Sequence, residues 1–361
     1  MIADRKNDHV RLAAEQQRDT GVHSEFDDVS FVHHALAGID RSAVTLNTSF
    51  GGIDWPVPLC VNAMTGGSVE TGIINRDLAI AARETGVPIA TGSMSAYFAD
   101  ESVADTFSVM RRENPDGFIM ANVNATASVE QARRAIDLLR ADALQIHLNA
   151  IQETVMPEGD RSFSDWGPGI ARIVAGVGVP VIVKEVGFGL SRETIRRLGE
   201  LGVRVADVAG RGGTNFARIE NGRREHHDYA FLDGWGQSAA ACLLDAQSSN
   251  LAVLASGGVR DPLDVVRGLA LGASAGGVSG LFLKAVLDGG VPALISLISR
   301  WLDQIEALMT ALGAATPADL GRCDVLIHGR LRAFCELRGI DIGRLANRSV
   351  SVPATSTHLG G

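Results

Sequence analysis

Residues 128–150, SVEQARRAIDLLRADALQIHLNA, hold one full repeat of the pattern that decides the fold. Ser128 stands where a helix N-cap belongs, and the apolar residues after it recur at three- and four-residue spacing. Ala143–Leu148 then switches to a short apolar run of strand character that ends in polar Asn149. A helix that hands over to a strand in this way, repeated along a chain, predicts βα units around a parallel sheet.

The repeat extends in both directions. Strand candidates are Val57–Ala63, Pro88–Thr91, Phe118–Val123, Ala143–Leu148, Val179–Glu185, Val203–Val208, Leu251–Ser256 and Ala275–Ser279. Between them, SRETIRRLGELG and DPLDVVRGLALG read as capped amphipathic helices like the first. Eight strands with helical crossovers predict an α/β protein of the closed (β/α)₈ barrel type rather than an open doubly wound sheet. Each strand candidate ends in small or polar residues (NAMTGG, TGSMSA, NVNA, HLNAIQE, KEVGFG, AGRGGTN, SGGVR, SGL), at the end of the barrel where chemistry sits.

The flanks read differently. Residues 1–56 are expected to form a polar arm, with a short helix in RLAAEQQR, followed by a hairpin of VTLNTSF and IDWPVPL able to plug one end of the barrel. Residues 57–348 would form the barrel with extra C-terminal helices, including one over RCDVLIHGRLRAFCELRG, and 349–361 a frayed tail.

Composition narrows the function class. The 361 residues are 46% apolar and 21% charged, ordinary for a globular protein, and the net charge of −9 argues against a nucleic-acid surface. The four cysteines lie far apart with no metal or disulfide spacing, which fits a reduced, cytoplasmic setting. No apolar leader and no uninterrupted apolar run of about 18 residues points to a membrane.

Several strand ends carry chemistry. Gly257-Gly258 and Ser279-Gly280 flank the position where barrels hold a phosphate on backbone N–H groups, and Gly212-Gly213-Thr214 can add to it. No GxGxxG fingerprint stands in the right context, so a mononucleotide fits better than tightly bound NAD. Lys184 ends the apolar strand VPVIVKE and reads either as half of an ion pair with Glu185 or Asp207, or as a cation facing an anionic cofactor. Gln145, His147 and Asn149 alternate onto one face, with Gln152 and Glu153 just beyond. A single carboxylate there suits Mg²⁺, which takes few protein oxygens plus substrate phosphate, whereas His147 reads equally as a ligand-facing or an ordinary core histidine. Arg5, Lys6 and His9 are either a solvated cluster or an arm that closes on a diphosphate.

RKNDH, NAMTGG, QIHLNAIQE with PEGDR, VKEVGFG, AGRGGTN and ASGGVRDPLDV together resemble the type 2 isopentenyl-diphosphate isomerases, from about residue 4 to 345. The QIHLNxxQE…PEGDR combination is the specific part. The resemblance implies an FMN barrel that requires Mg²⁺ and a reductant such as NADPH, interconverts isopentenyl and dimethylallyl diphosphate, and forms a homo-oligomer. It implies FMN contacts at Thr65, Gly66, Gly67, Ser93, Asn122, Lys184, Thr214, Gly257, Gly258, Ser279 and Gly280, and Mg²⁺ at Glu153. Gln152 would lie beside the alkene, and Arg5, Lys6, His9 and His147 on the diphosphate, with Gln152, Lys184 and His147 as the catalytic set. This chain departs from relatives in GSMSAYF, which lacks a basic residue that some carry, and in VSGL where many have an Ala-Gly-Pro turn. The rivals are an FMN-dependent 2-hydroxy acid dehydrogenase or oxidase, which leaves QE…PEGDR unexplained, and a non-enzymatic flavin- or phosphate-binding barrel.

Overall fold

The structure, a computed structural model, describes residues 2–17 and 24–350, with side chains from Lys6 onward. Eight parallel strands close into a barrel: β1 (Leu59–Val61), β2 (Ile89–Ala90), β3 (Ile119–Asn124), β4 (Ala143–His147), β5 (Val181–Lys184), β6 (Val205–Asp207), β7 (Ala252–Ser256) and β8 (Ala275–Val278). Each lies inside its expected segment to within a residue, and β8 pairs with β1 to close the ring. The helices between them start where their sequence says: Ser128, Ser191 and Asp261 each accept a backbone N–H three residues on.

The barrel interior is layered, because residues two apart on a strand face the same way. Its lower layer is apolar: Cys60, Ala90, Met120, Ala143, Ile182, Val205, Leu254 and Ala275 pack together with Phe50, Ile53 and Trp55. Those last three belong to the hairpin Thr48–Phe50 and Ile53–Trp55, which pairs antiparallel and stoppers the barrel floor with a fully buried Trp55. Two residues further along the same strands stand Asn62, Asn122, Gln145, Lys184, Asp207 and Ser256, all buried and all polar. Burying polar groups is costly unless they bond one another, so this second layer marks the end of the barrel that does work.

Two flanking segments depart from the sequence reading. The N-terminal helix runs from Ile2 to Gln16, nearly twice the length of RLAAEQQR, and buries Ala13. Val325–Ile327, expected within a helix, is a strand that pairs antiparallel with Val29–Phe31, and only Gly329–Arg338 is helical. Ser349 is held by Asp324, its N–H to Oδ1 at 2.8 Å; the expected tail lies, from residue 351, outside the described residues. Gly280–Leu312 is long and apolar enough by composition to cross a membrane. It breaks at Gly290, buries Leu294, Ile298, Trp301, Ile305 and Met309 on one face, and packs as a whole against the Val69–Thr85 helix.

Candidate active site

A cavity of about 360 Å³ opens at the C-terminal ends of the strands, and all eight strand ends contribute to its wall. One side is a cradle of backbone. Gly257 and Gly258, at φ of 88° and 78°, let the β7 loop press against the β6 loop; a β-carbon on Gly257 would stand 1.9 Å from the Gly210 carbonyl oxygen. The helix that starts at Gly280 is not capped by the Ser279 side chain, so its first N–H groups remain for an anion. Thr214 and Thr65 have buried hydroxyls with no partner in the protein. Exposed amides and the orphaned Thr214 hydroxyl on one cavity wall, with Thr65 buried behind it, fit a phosphorylated cofactor of the FMN kind.

Lys184 rises from β5 beneath this cradle. Its Nζ donates to the Glu185 carbonyl at 2.7 Å, and the register sets it between His147 on β4 and Asp207 on β6. Burial pulls its pKa down, opposed by Asp207 and Glu185. Its hydrogen bond is to a backbone carbonyl and not to a carboxylate, although Asp207 and Glu185 act on it electrostatically, and it lines the cavity. Glu185 turns away, with one carboxylate oxygen on the N–H groups of Val186, Gly187 and Phe188, and burial raises it to about 7.

The opposite wall belongs to the segment after β4. Gln152 Oε1 accepts from Asn149 Nδ2 at 3.2 Å, and its Nε2 donates to Glu220 Oε1 at 2.9 Å. Glu153 accepts from Asn149 Nδ2 at 2.9 Å and from the Asp160 N–H at 2.8 Å. It is a lone carboxylate: among the described residues no three acidic, His or Cys side chains gather around a metal position. That donor set fits an ion completed by water and substrate oxygens.

The N-terminal helix lies over the mouth as a lid. Lys6 Nζ reaches the Ser93 carbonyl at 3.5 Å, and His9 Nε2 lies 3.0 Å from Glu220 Oε1. At the far end, Gln16 brackets Asn215, accepting from its N–H at 2.8 Å and donating to its carbonyl at 3.2 Å. The Arg5 side chain lies outside the described residues.

The geometry thus gathers Lys6, His9, Ser93, Asn122, His147, Gln152, Glu153, Lys184, Thr214, Gly257, Gly258, Ser279 and Gly280 around one cavity. Gly66 and Gly67 stand behind the wall, where a β-carbon would strike the Phe107 ring at 2.2 Å or Ala96 at 2.6 Å, so packing alone demands glycine there. Sequence reasoning missed Glu220. It is wholly buried at the meeting point of His9, Gln152 and Arg223; burial would raise its pKa, but those three partners bring it to about 2. A glutamate in the short helix Phe216–Gly222 carries no local signal of that.

The profile of the FMN-dependent dehydrogenases matches residues 104–326. The isopentenyl-diphosphate delta-isomerase of Kitasatospora griseola is 68% identical, covering 99% of this chain and 98% of its own. That of Streptomyces sp. (strain CL190) is 67% identical over 98% of each. The chain belongs to the isopentenyl-diphosphate delta-isomerase family. Among relatives in this isomerase family further off, the Staphylococcus saprophyticus protein is 46% identical over 94% of this chain and 97% of its own. The expected resemblance is therefore confirmed, and FMN, the cofactor in the matching profile's name, is the group the barrel belongs with. Solved structures of mandelate oxidase share the barrel at a TM-score of 0.63, covering 90% of this chain and 98% of theirs. At 17% identity that likeness is one of fold alone.

Proposed function

We propose that this enzyme interconverts isopentenyl and dimethylallyl diphosphate at the barrel mouth, with FMN reduced by NADPH or another reductant and Mg²⁺ at Glu153. The observation that carries the reading is the lid: Lys6 and His9 approach a cavity whose other side is the phosphate cradle, with Gln152 on its wall and Glu220 buried behind, holding both His9 and Gln152. Two anion-binding sites facing each other across the cavity suit a short prenyl diphosphate beside a flavin.

Moving the double bond forms one C–H bond and breaks another, with no net electron transfer. Reduced FMN, when bound, supplies a ring nitrogen able to give and take that proton. The chain's own residues do the rest. Lys184, buried on the cavity wall, would favour an anionic ring. Gln152 is held at both ends of its amide, so its position beside the alkene costs no reorganisation. Met64, Met156, Val186 and Phe216 supply apolar wall that keeps water from a cationic prenyl group. Thr65, Ser93, Asn122, Thr214 and the two Gly turns would hold FMN, and Arg5, Lys6, His9 and His147 the diphosphate. The same reading takes the enzyme as a cytoplasmic homo-oligomer, to be checked by light scattering.

Oxidation of a hydroxy acid would need an arginine free to take the acid's carboxylate. Arg260, which lines the cavity, is already forked onto Asp27 and Asp264. The deciding experiment is anaerobic. Oxidised FMN supports no turnover, whereas one equivalent of NADPH or dithionite starts many turnovers without further reductant loss. Reductant consumed once per product, or a hydroxy acid oxidised, would overturn the reading.

A further inference from the structure

The polar layer of the barrel forms one continuous chain of hydrogen bonds, and three of its members, Asp207, Asn62 and Gln145, have no part in the chemistry above. Asn62 Nδ2 donates to Asp207 Oδ2 at 2.6 Å. Gln145 Nε2 donates to Asn62 Oδ1 at 3.1 Å, and Asn122 Nδ2 to Gln145 Oε1 at 3.2 Å. Asn122 Oδ1 then lies 2.7 Å from His147 Nδ1. All five residues are buried, and Gln145 is wholly so.

Such a chain has a direction. Asp207 also accepts from Ser256 Oγ and the Ala209 N–H, so it is an acceptor at its end of the row. Asn62 Oδ1 is engaged besides by the Ala63 N–H, which fixes that amide the same way round. An amide that must donate at its nitrogen presents its oxygen to the next residue. Followed through Gln145 and Asn122, this leaves an amide oxygen facing the imidazole, which meets it only with a proton on Nδ1. Nε2 is then the ring nitrogen left for the cavity that His147 lines.

We propose that Gln145 is a positioning residue for diphosphate binding: anchored at Asp207, it keeps the His147 proton on Nδ1, so the incoming anion meets a bare Nε2 and one proton is taken up. The proton comes from solvent and forms the Nε2–H donor to a phosphate oxygen; no bond of the substrate changes. In the free enzyme burial, then Lys184 and Lys6, push His147 down to about 3, so the ring is neutral at physiological pH. Those two cations are the charged groups acting on the ring, opposed by the Val123 backbone carbonyl, and a bound diphosphate offsets their field. The inference rests on the diphosphate reading of the site.

The test uses FMN holoenzyme with oxidised flavin, so that nothing turns over. The ¹⁵N-histidine spectrum without substrate, assigned by loss of a signal in His147→Asn, is expected to show the Nδ1–H form in the wild type. Gln145→Met frees Asn122 to turn its nitrogen to the ring and shifts His147 toward Nε2–H. Gln145→Glu, whose neutral acid can repeat both bonds, restores the wild-type form. Calorimetry of isopentenyl diphosphate at fixed Mg²⁺, near pH 7 in buffers of different ionisation enthalpy, should give a net proton uptake in the wild type and clearly less in Gln145→Met. An Nε2–H ring in the wild type, or the same tautomer and uptake in Gln145→Met, overturns the proposal. Should Gln145→Met fail to bind FMN, the wild-type and Gln145→Glu measurements decide alone. Absence of any diphosphate binding overturns the reading of the site and leaves the tautomer result standing.

Discussion

Gln17 occupies the space that a β-carbon on Gly280 would need: that carbon would stand 2.6 Å from Gln17 Nε2 and 2.8 Å from Cδ. The lid's last described residue is therefore packed on the first residue of the helix that closes the phosphate cradle. The Gly280 backbone is ordinary helix, so a β-carbon there has only the end of the Gln17 side chain to displace. Gly280→Ala should push the lid outward and weaken FMN binding about tenfold, roughly 1.4 kcal/mol. Gln17→Ala added to it should recover most of the loss, because neighbours in contact are not additive. Flavin fluorescence titration of the four proteins checks this; strictly additive effects would show that the two residues do not communicate.

Lys6→Ala with His9→Ala should raise KM for isopentenyl diphosphate at least tenfold, since charged hydrogen bonds are worth about 1.5–3 kcal/mol each. FMN affinity should change little, as the Gln16–Asn215 clamp at the other end of the lid is untouched. Steady-state kinetics beside a flavin titration separates the two, and an unchanged KM would return the cluster to a solvated helix face.

Glu153→Gln should leave FMN bound and raise the Mg²⁺ concentration needed for activity by at least tenfold, because the replacement keeps the shape and removes the charge. Activity followed against Mg²⁺ tests it. Full activity at limiting Mg²⁺ would place the ion elsewhere.

His147 also makes stability pH-dependent. Its folded value of about 3 lies below the ordinary 6.5. Between those values the unfolded chain binds a proton that the folded one does not, so stability is lost as pH falls through this window. Between pH 7 and 5 this group should cost about 2 kcal/mol. Urea unfolding at both pH values should show that loss shrinking in His147→Asn. An equal loss in both proteins would assign it to other groups.

The barrel was legible because its signal is local. A strand segment of four to seven residues, a polar end and an amphipathic helix are written locally in the sequence, and Ser128, Ser191 and Asp261 cap where they read as caps. Gln145 and His147 were legible as sharing a face for the same reason, since strand periodicity is two. Asn149 was placed with them, yet β4 ends at His147 and Asn149 instead precedes a helix of six residues, Ala150–Val155.

What the chain could not disclose locally were contacts made by closure. Val29–Phe31 and Val325–Ile327 are three-residue strands almost three hundred residues apart, too short for any period to show. Glu220 looks like a solvated helix residue until the lid and the loop after β4 bring His9 and Gln152 onto it. The row from Asp207 to His147 draws on four strands, and no spacing along the sequence orders it. Residue order by itself determined which segments become strands and helices and that their ends are polar, because backbone preference and amphipathic period act over a few residues. Only the closed barrel decided which of those polar ends touch, because a hydrogen bond depends on a separation of about 3 Å in space.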